Sequence, residues 1–253
     1  MILTGKGLIV PDVHEKIVKL VRILGLYEPS VDWVLFVGDF MDRYENKGLP
    51  TQLTHDTCIW LGANLANPKY RFMYGNHDIH YAFSNSDIKC SGYKPSKQKI
   101  FSTHIKPNLL KYFHLLTWID QVPAEQPLGG PREWLVSHAG LHPLLLHPIH
   151  GYDKDALDEM ATVALEDLKF GRVHPWLQPG KSRGGFQKVG GIDWLDWNEE
   201  FEPIEGLNQI VGHTHGEIPR VKETAGSFNL CIDTGFQHVI MVDNGKIEIV
   251  EIL

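Results

Sequence analysis

Four short apolar runs punctuate the first part of the chain: Leu8-Ile9-Val10, Val34-Leu35-Phe36-Val37, Tyr70 to Tyr74, and Trp134-Leu135-Val136. Runs of this length without polar alternation predict strands buried on both faces, as in parallel sheets covered by helices. After the first run, Ile17, Val18, Leu20, Val21 and Leu24 recur at helical spacing, which predicts a helix over Glu15 to Leu24. A second helix is expected over Thr51 to Ala66, opened by Pro50 and closed by Asn67-Pro68. The chain up to Tyr74 therefore reads βαβαβ.

From Tyr81 to Lys106 the periodicity fades into Ser, Asn, Gly, Pro and Lys, and Lys94-Pro95-Ser96-Lys97-Gln98-Lys99 forms a basic stretch. The pattern predicts a solvated loop, with a lid as the alternative because the segment leaves Gly75-Asn76-His77-Asp78 directly. Asp155 to Phe170 returns to helical spacing and stops at Gly171. Glycines then crowd the chain as far as Gly191, where Trp176, Trp194 and Trp197 are expected to anchor a structured loop. Short strands follow at Gln209 to Val211, Leu230 to Ile232, Val239 to Val242 and Ile247 to Ile249, the last two joined by an Asp243-Asn244-Gly245 hairpin turn. Crossover helices early and hairpins late predict a mixed α/β sandwich.

Composition narrows the class. With 253 residues, 43% hydrophobic and 22% charged, the chain has the profile of a globular protein able to bury a sizeable core. A net charge of −7 provides no global basic field for nucleic acid or anionic membrane. No segment has membrane-spanning length and the N-terminus lacks a leader pattern, so a cytoplasmic location is expected. Cys58, Cys90 and Cys231 are odd in number and lack CxxC spacing, which predicts buried free thiols.

The chemistry lies in six islands: Asp12-Val13-His14, Gly38-Asp39-Phe40-Met41-Asp42-Arg43, Gly75-Asn76-His77-Asp78, Ser137-His138-Ala139-Gly140, Gly212-His213-Thr214-His215 and Asp233-Thr234-Gly235. Each early island follows a predicted strand, where open α/β folds place their sites. Asp12 and His14 project to one side of an extended segment and can chelate one cation together. The two oxygens of Asp39 can join a pair of cations at the roughly 3.5–4 Å separation of two-metal hydrolases. Asn76, His138 and His213 can complete the set around the second ion, with His215 returning to the first ion. Mixed nitrogen and oxygen donors without thiolate favour manganese or iron, with zinc possible. His142, His147 and His150 are read as loop or helix-end residues, and Asp233 as supporting structure. Because the islands run from Asp12 to His215, one domain over residues 1–253 is expected.

In order and wording these islands resemble the calcineurin-like metallophosphoesterases, especially the phosphoprotein phosphatase branch, which includes bacterial and phage serine/threonine phosphatases and diadenosine tetraphosphatases. The resemblance spans about Leu8 to Gly235 and rests on Asp-Xaa-His, Gly-Asp-Xaa-Xaa-Asp-Arg, Gly-Asn-His-Asp, His-Ala-Gly and Gly-His-Thr. It implies an αββα sandwich, two mixed sheets flanked by helices, with two divalent ions at the sheet edges. One metal would take Asp12, His14 and Asp39, the other Asp39, Asn76, His138 and His213. It further implies His77 as general acid oriented by Asp42, with Arg43 and Arg183 holding phosphate oxygens. The implied reaction is attack of a metal-bridging hydroxide on a phosphomonoester, on a phosphoprotein or a small phosphate. Hydrolysis of dinucleoside polyphosphates is the alternative, followed by phosphodiester hydrolysis and a silent metal-binding scaffold. Asp42-Arg43-Tyr44 and His77-Asp78 depart from the Asp-Arg-Gly and Gly-Asn-His-Glu of many protein phosphatases, which loosens the tie to protein substrates. His215 is a second departure, commoner in the wider superfamily.

Overall fold

The computed structural model describes residues 2–43, 51–83, 88–120, 133–146, 152–243 and 246–252. Among them, two sheets of six strands stack face to face. The first contains β2 (Gly7–Val10), β3 (Trp33–Phe36), β4 (Tyr70–Met73) and β5 (Phe113–His114) in parallel. It is extended beyond β2 by the antiparallel pair β11 (His238–Asp243) and β12 (Lys246–Glu251). The second has the order β1 (Ile2–Leu3), β6 (Leu116–Asp120), β7 (Glu133–Ser137), β8 (Asn208–Val211), β10 (Ser227–Cys231), β9 (Arg220–Thr224). Here β7, β8 and β10 run parallel to one another.

The apolar runs are continuous because both faces of the central strands are covered. Ile9, Leu35, Met73, Trp134, Val136, Ile210, Leu230 and Ile240 share one core between the sheets. Their neighbours Leu8, Val10, Val34, Phe36, Phe72 and Leu135 belong instead to the core that includes the helices. Strand residues alternate in direction, so each strand feeds two cores. On the first sheet's side these are α1 (Ile17–Tyr27), which buries Leu20, Ile23 and Leu24, and α2 (Gln52–Asn64), which buries Cys58 and Leu61. On the second sheet's side, α5 (Lys154–Lys169) is capped by Asp153 and held by a Trp118 Nε1 hydrogen bond to Asp158 Oδ1 at 2.9 Å. Among the described residues no helix is long and apolar enough to cross a membrane.

Three differences from the sequence expectations bear on the site. Helix α1 starts at Ile17 rather than Glu15, because His14 and Glu15 adopt positive φ (44° and 58°), which an α-helix cannot include. The island at Asn76 opens a helix, α3 (Asn76–Ala82). The segment read as a solvated loop contains α4 (Pro95–His104), with Pro95 in its first turn. Only Phe101 of α4 is fully buried, so the helix leaves no apolar stripe to read. The Asp243-Asn244-Gly245 turn lies partly outside the described residues, although Asp243 and Lys246 pair across the hairpin. His147 and His150 also lie outside them.

Candidate active site

Loops at the carboxyl ends of parallel strands from both sheets meet here. Asp12 and His14 follow β2, Asp39 follows β3 and Asn76 follows β4, while His138 follows β7 and His213 follows β8. Ligand atoms of Asp12, His14 and Asp39 lie within 4.8 Å of one another, as do those of Asp39, His138 and His213. Asn76 Oδ1 joins the second group, 3.0 Å from His213 Nδ1 and 3.2 Å from His138 Nε2. Those two nitrogens are themselves 3.2 Å apart. Donor atoms at 2.0–2.2 Å from one metal, at near-right angles, lie roughly 3 Å from each other.

The imidazoles are aimed by backbone carbonyls. His14 Nδ1 is 3.0 Å from Met41 O, and His138 Nδ1 is 3.0 Å from Val37 O. Each ring therefore offers Nε2 to the site, as metal-binding histidines do when the other nitrogen is occupied. Asp39 Oδ1 accepts from the His77 N–H at 2.9 Å. Its Oδ2 lies 3.7 Å from His14 Nε2 and 3.3 Å from His138 Nε2, between the two groups. Asp12 Oδ2 accepts from the His213 N–H at 2.9 Å, while Asp12 Oδ1 and His213 Nε2 are buried without a hydrogen-bond partner. A Cβ on Gly212 would overlap Asp12 Oδ1, and one on Gly75 would overlap Asp39 Oδ1. The donors, the orphaned carboxylate oxygen and the glycine cradle fit a pair of divalent cations.

Backbone strain is concentrated at the same place. Among the described residues, the non-glycine residues with positive φ are His14, Glu15, Asp39, Asp42, His213 and Phe236. All but Phe236 surround the site. Left-handed non-glycine residues cost about 1–3 kcal/mol each and persist where surrounding contacts hold them. Asp78 supplies such contacts: Oδ1 accepts from the N–H groups of Phe40 and Met41, and Oδ2 from that of Gly75. Burial, with the Asp39 charge adding to it, pushes the Asp78 carboxyl up to about 7.

Without cations the charges are in conflict. Burial and the neighbouring Asp233 raise the Asp12 carboxyl well above its ordinary value. Burial works against charge on His138, but Asp39 and Asp12 outweigh it and raise the imidazole to about 10. Burial, His138 and Arg183 hold His213 neutral, the form a ligand needs. Asp193 is buried with both oxygens unpartnered, and burial raises it to about 8.

Beside the ligands, His77 Nδ1 lies 3.1 Å from Asp42 Oδ2. Burial alone would lower the His77 pKa, yet the Asp39 charge and the Asp42 hydrogen bond raise it well above the ordinary value. Asp42 is itself held tightly: His80 Nε2 lies 2.9 Å from Oδ2, while Tyr81 Oη and Lys97 Nζ donate to Oδ1 at 2.9 and 2.8 Å. Lys97 also reaches Glu15 Oε1 at 2.9 Å, an oxygen that accepts from Thr54 Oγ1 at 2.7 Å. Residues 94–99 are thus not merely a basic surface stretch, because Lys97 is an inward prop of the His77–Asp42 pair. Cys90 is only half-buried, unlike Cys58 and Cys231, and its Sγ lies 3.7 Å from His77 Nδ1. His80 and Tyr81, at i+3 and i+4 from His77, are the supports that helical spacing makes legible; Lys97 and Cys90 carry no motif.

Arg183 is aimed by an Asp196 Oδ2 ion pair at 2.7 Å and by donation from Nη2 to Thr214 Oγ1 at 3.0 Å. Arg43 is half-buried directly after Asp42. His215 stands apart from both ligand groups, its side chain 67% exposed and its Nδ1 3.7 Å from Asp233 Oδ1. Trp176 and Trp197 are buried, and the Trp197 N–H donates to Thr214 Oγ1 at 2.9 Å.

A family model for calcineurin-like phosphoesterases matches residues 6–217. The chain belongs to that family. This phosphoesterase also shares its fold with a cold-active protein-tyrosine phosphatase of a psychrophilic Shewanella species. The TM-score is 0.57 at 13% identity, over 99% of this chain and 81% of the other. A protein serine/threonine phosphatase from Saccharomyces cerevisiae gives 0.51 at 14% identity, over 100% and 84%. No curated protein sequence matches this phosphoesterase. Family membership and the His/Asp groups make it a metal-dependent phosphoester hydrolase.

Proposed function

We propose that this chain is a single-domain, dinuclear phosphomonoesterase acting on phosphoserine or phosphothreonine proteins or on small phosphates. The observation that carries this reading is the His77–Asp42 pair at 3.1 Å, set beside a carboxylate, Asp39, that faces both ligand groups. Asp12, His14 and Asp39 would hold one ion, and Asp39, Asn76, His138 and His213 the other. Manganese is the ion this donor set favours, with iron or zinc as substitutes. When bound, two such cations activate water and neutralise charge on an in-line phosphoryl transition state.

The remaining work falls to this chain's own groups. Arg43 and Arg183 offer forked donors to phosphate oxygens, and the Asp196 ion pair keeps the Arg183 fork from swinging away. His77 gives the proton from Nε2 to the departing oxygen. Asp42, accepting from Nδ1–H, keeps the ring oriented and favours its protonated form. Ester cleavage gains more from this arrangement than anhydride cleavage, because a leaving alkoxide needs a proton more than a leaving phosphate does.

The test is manganese-dependent release of nitrophenol from a nitrophenyl monoester and from its diester, with Asp39→Asn as control. Monoester turnover lost in the control supports the reading. Diester preference, or turnover unaffected by Asp39→Asn, refutes it. Rapid release of a purine nucleotide from dinucleoside tetraphosphate, well above monoester hydrolysis, would move the substrate to that class.

A further inference from the structure

We propose that Cys90, His80 and His77 form a separate inhibitory site for a thiophilic divalent cation of the zinc class. Cys90 Sγ lies 3.0 Å from His80 Nδ1 and 3.7 Å from His77 Nδ1, and the three ligand atoms lie within 4.8 Å of one another. Neighbouring sulfur and nitrogen ligands of tetrahedral zinc stand about 3.3–3.6 Å apart, given bonds of about 2.3 and 2.0 Å. The two sulfur–nitrogen separations, 3.0 and 3.7 Å, bracket that spacing. His77 and His80 share one face of α3 at i and i+3, and Cys90 comes from the chain that follows it.

The tautomer of His80 suits a ligand. Its Nε2 faces Asp42 Oδ2 at 2.9 Å, and its Nδ1 accepts from the Cys90 N–H at 3.3 Å. The proton therefore sits on Nε2, and the Nδ1 lone pair points toward the sulfur. The Asp42 carboxylate lies behind the far nitrogen, off hydrogen-bond geometry, where a turn of the ring makes it the outer partner that orients metal-binding histidines. Cys90 is half-buried, whereas Cys58 and Cys231 are buried.

Occupancy has a direct consequence. The His77 atom that the cation takes is Nδ1, the same atom that pairs with Asp42. Binding forms one metal–sulfur and two metal–nitrogen bonds and releases the thiol proton and the His77 Nδ1 proton to solvent. The His77–Asp42 pair is broken and the imidazolium becomes a neutral, metal-bound imidazole whose remaining Nε2–H is a far weaker acid, a consequence that rests on the proposed role of His77. No thiolate belongs to the dinuclear ligand groups, so the two kinds of site select differently: nitrogen and oxygen there, sulfur here.

The experiment titrates cadmium into the full chain kept in excess manganese and follows the near-ultraviolet thiolate-to-metal absorption. A band saturating at one cadmium per chain, removed by added zinc, lost in Cys90→Ser and Cys90→Ala and kept in Cys231→Ser, is the expected result. No band in the unaltered chain, or a band that survives both Cys90 substitutions, overturns the site. Zinc should also slow Cys90 alkylation in the unaltered chain, a readout that needs no variant; unchanged alkylation counts against it. Zinc inhibition of monoester turnover should weaken at least about tenfold in Cys90→Ser, each protein compared with its own zinc-free rate. Equal inhibition overturns the inhibitory role. The absorption and alkylation results stand whether or not monoester turnover is found.

Discussion

Asp39 carries several demands on one side chain: a strained backbone at φ 48°, an oxygen committed to the His77 N–H, and a second oxygen facing both ligand groups. His77 is separated from that metal chemistry by the identity of its partner, Asp42. His77→Asn should therefore leave metal content nearly intact while lowering turnover by about 10²–10⁴-fold for poor leaving groups. A good leaving group such as nitrophenolate should suffer much less, and equal losses across a leaving-group series would argue against a proton donor. The pH profile tests the same pair. A general acid works while it is protonated, so activity falls as pH rises through the His77 pKa. Cations on Asp39 would use up that residue's contribution, which leaves the Asp42 hydrogen bond, ahead of Cys90, as the largest remaining influence raising His77. Asp42→Asn should shift the alkaline limb of kcat/KM to lower pH; an unmoved limb would mean that Asp42 does not set the acid's pKa.

At the scale of elements, α3 and α4 set the proposed acid in place. Helix α3 presents His77, His80 and Tyr81, and α4 supplies Lys97, whose ammonium joins Asp42 to Glu15 across separate segments. The Lys97 side chain is 13% exposed, so its ion pairs are largely shielded from solvent. Lys97→Met should cost about 1–3 kcal/mol of stability, the penalty for leaving buried acceptors short of a donor. It should also lower kcat more than KM, because a loosened Asp42 misplaces the proton rather than the phosphate. Urea unfolding and steady-state kinetics on the monoester would measure both; a change confined to stability would reduce α4 to a support. Helix α4 escaped the sequence reading because a helix held mainly by one buried ring, Phe101, and one inward lysine has no periodic stripe.

For the molecule as a whole, the buried carboxylates and imidazoles make metal binding part of its stability. Each cation at about a hundredfold over its dissociation constant contributes about 2.7 kcal/mol. In a chain of this length that corresponds to a melting temperature roughly 5–10 °C lower for each cation that chelation removes. A proton on His138, whose pKa is raised to about 10 without metal, must leave before a cation can take Nε2. Metal affinity should accordingly increase with pH across the neutral range, with proton release on binding. Calorimetry in buffers of different ionisation enthalpy reads that release, and a pH-independent affinity with none would contradict the ligand set.

The islands and the strands before them were legible in the sequence because their signals are local. A buried strand is a short apolar run, and a metal ligand must sit at its end with glycine where a Cβ would block a carboxylate, as at Gly75 and Gly212. Those features pointed to a mixed α/β sandwich and to the candidate ligands Asp12, His14, Asp39, Asn76, His138, His213 and His215, and their order carried the resemblance that implied the paired sheets. Only the tertiary structure decided how Asp42 is held, where Arg183 is aimed, that His215 stands beside Asp233, and that Cys90 faces two histidines. Those relations join residues far apart in the chain, and the long side chains of Lys97 and Arg183 take their direction from partners rather than from neighbours in sequence.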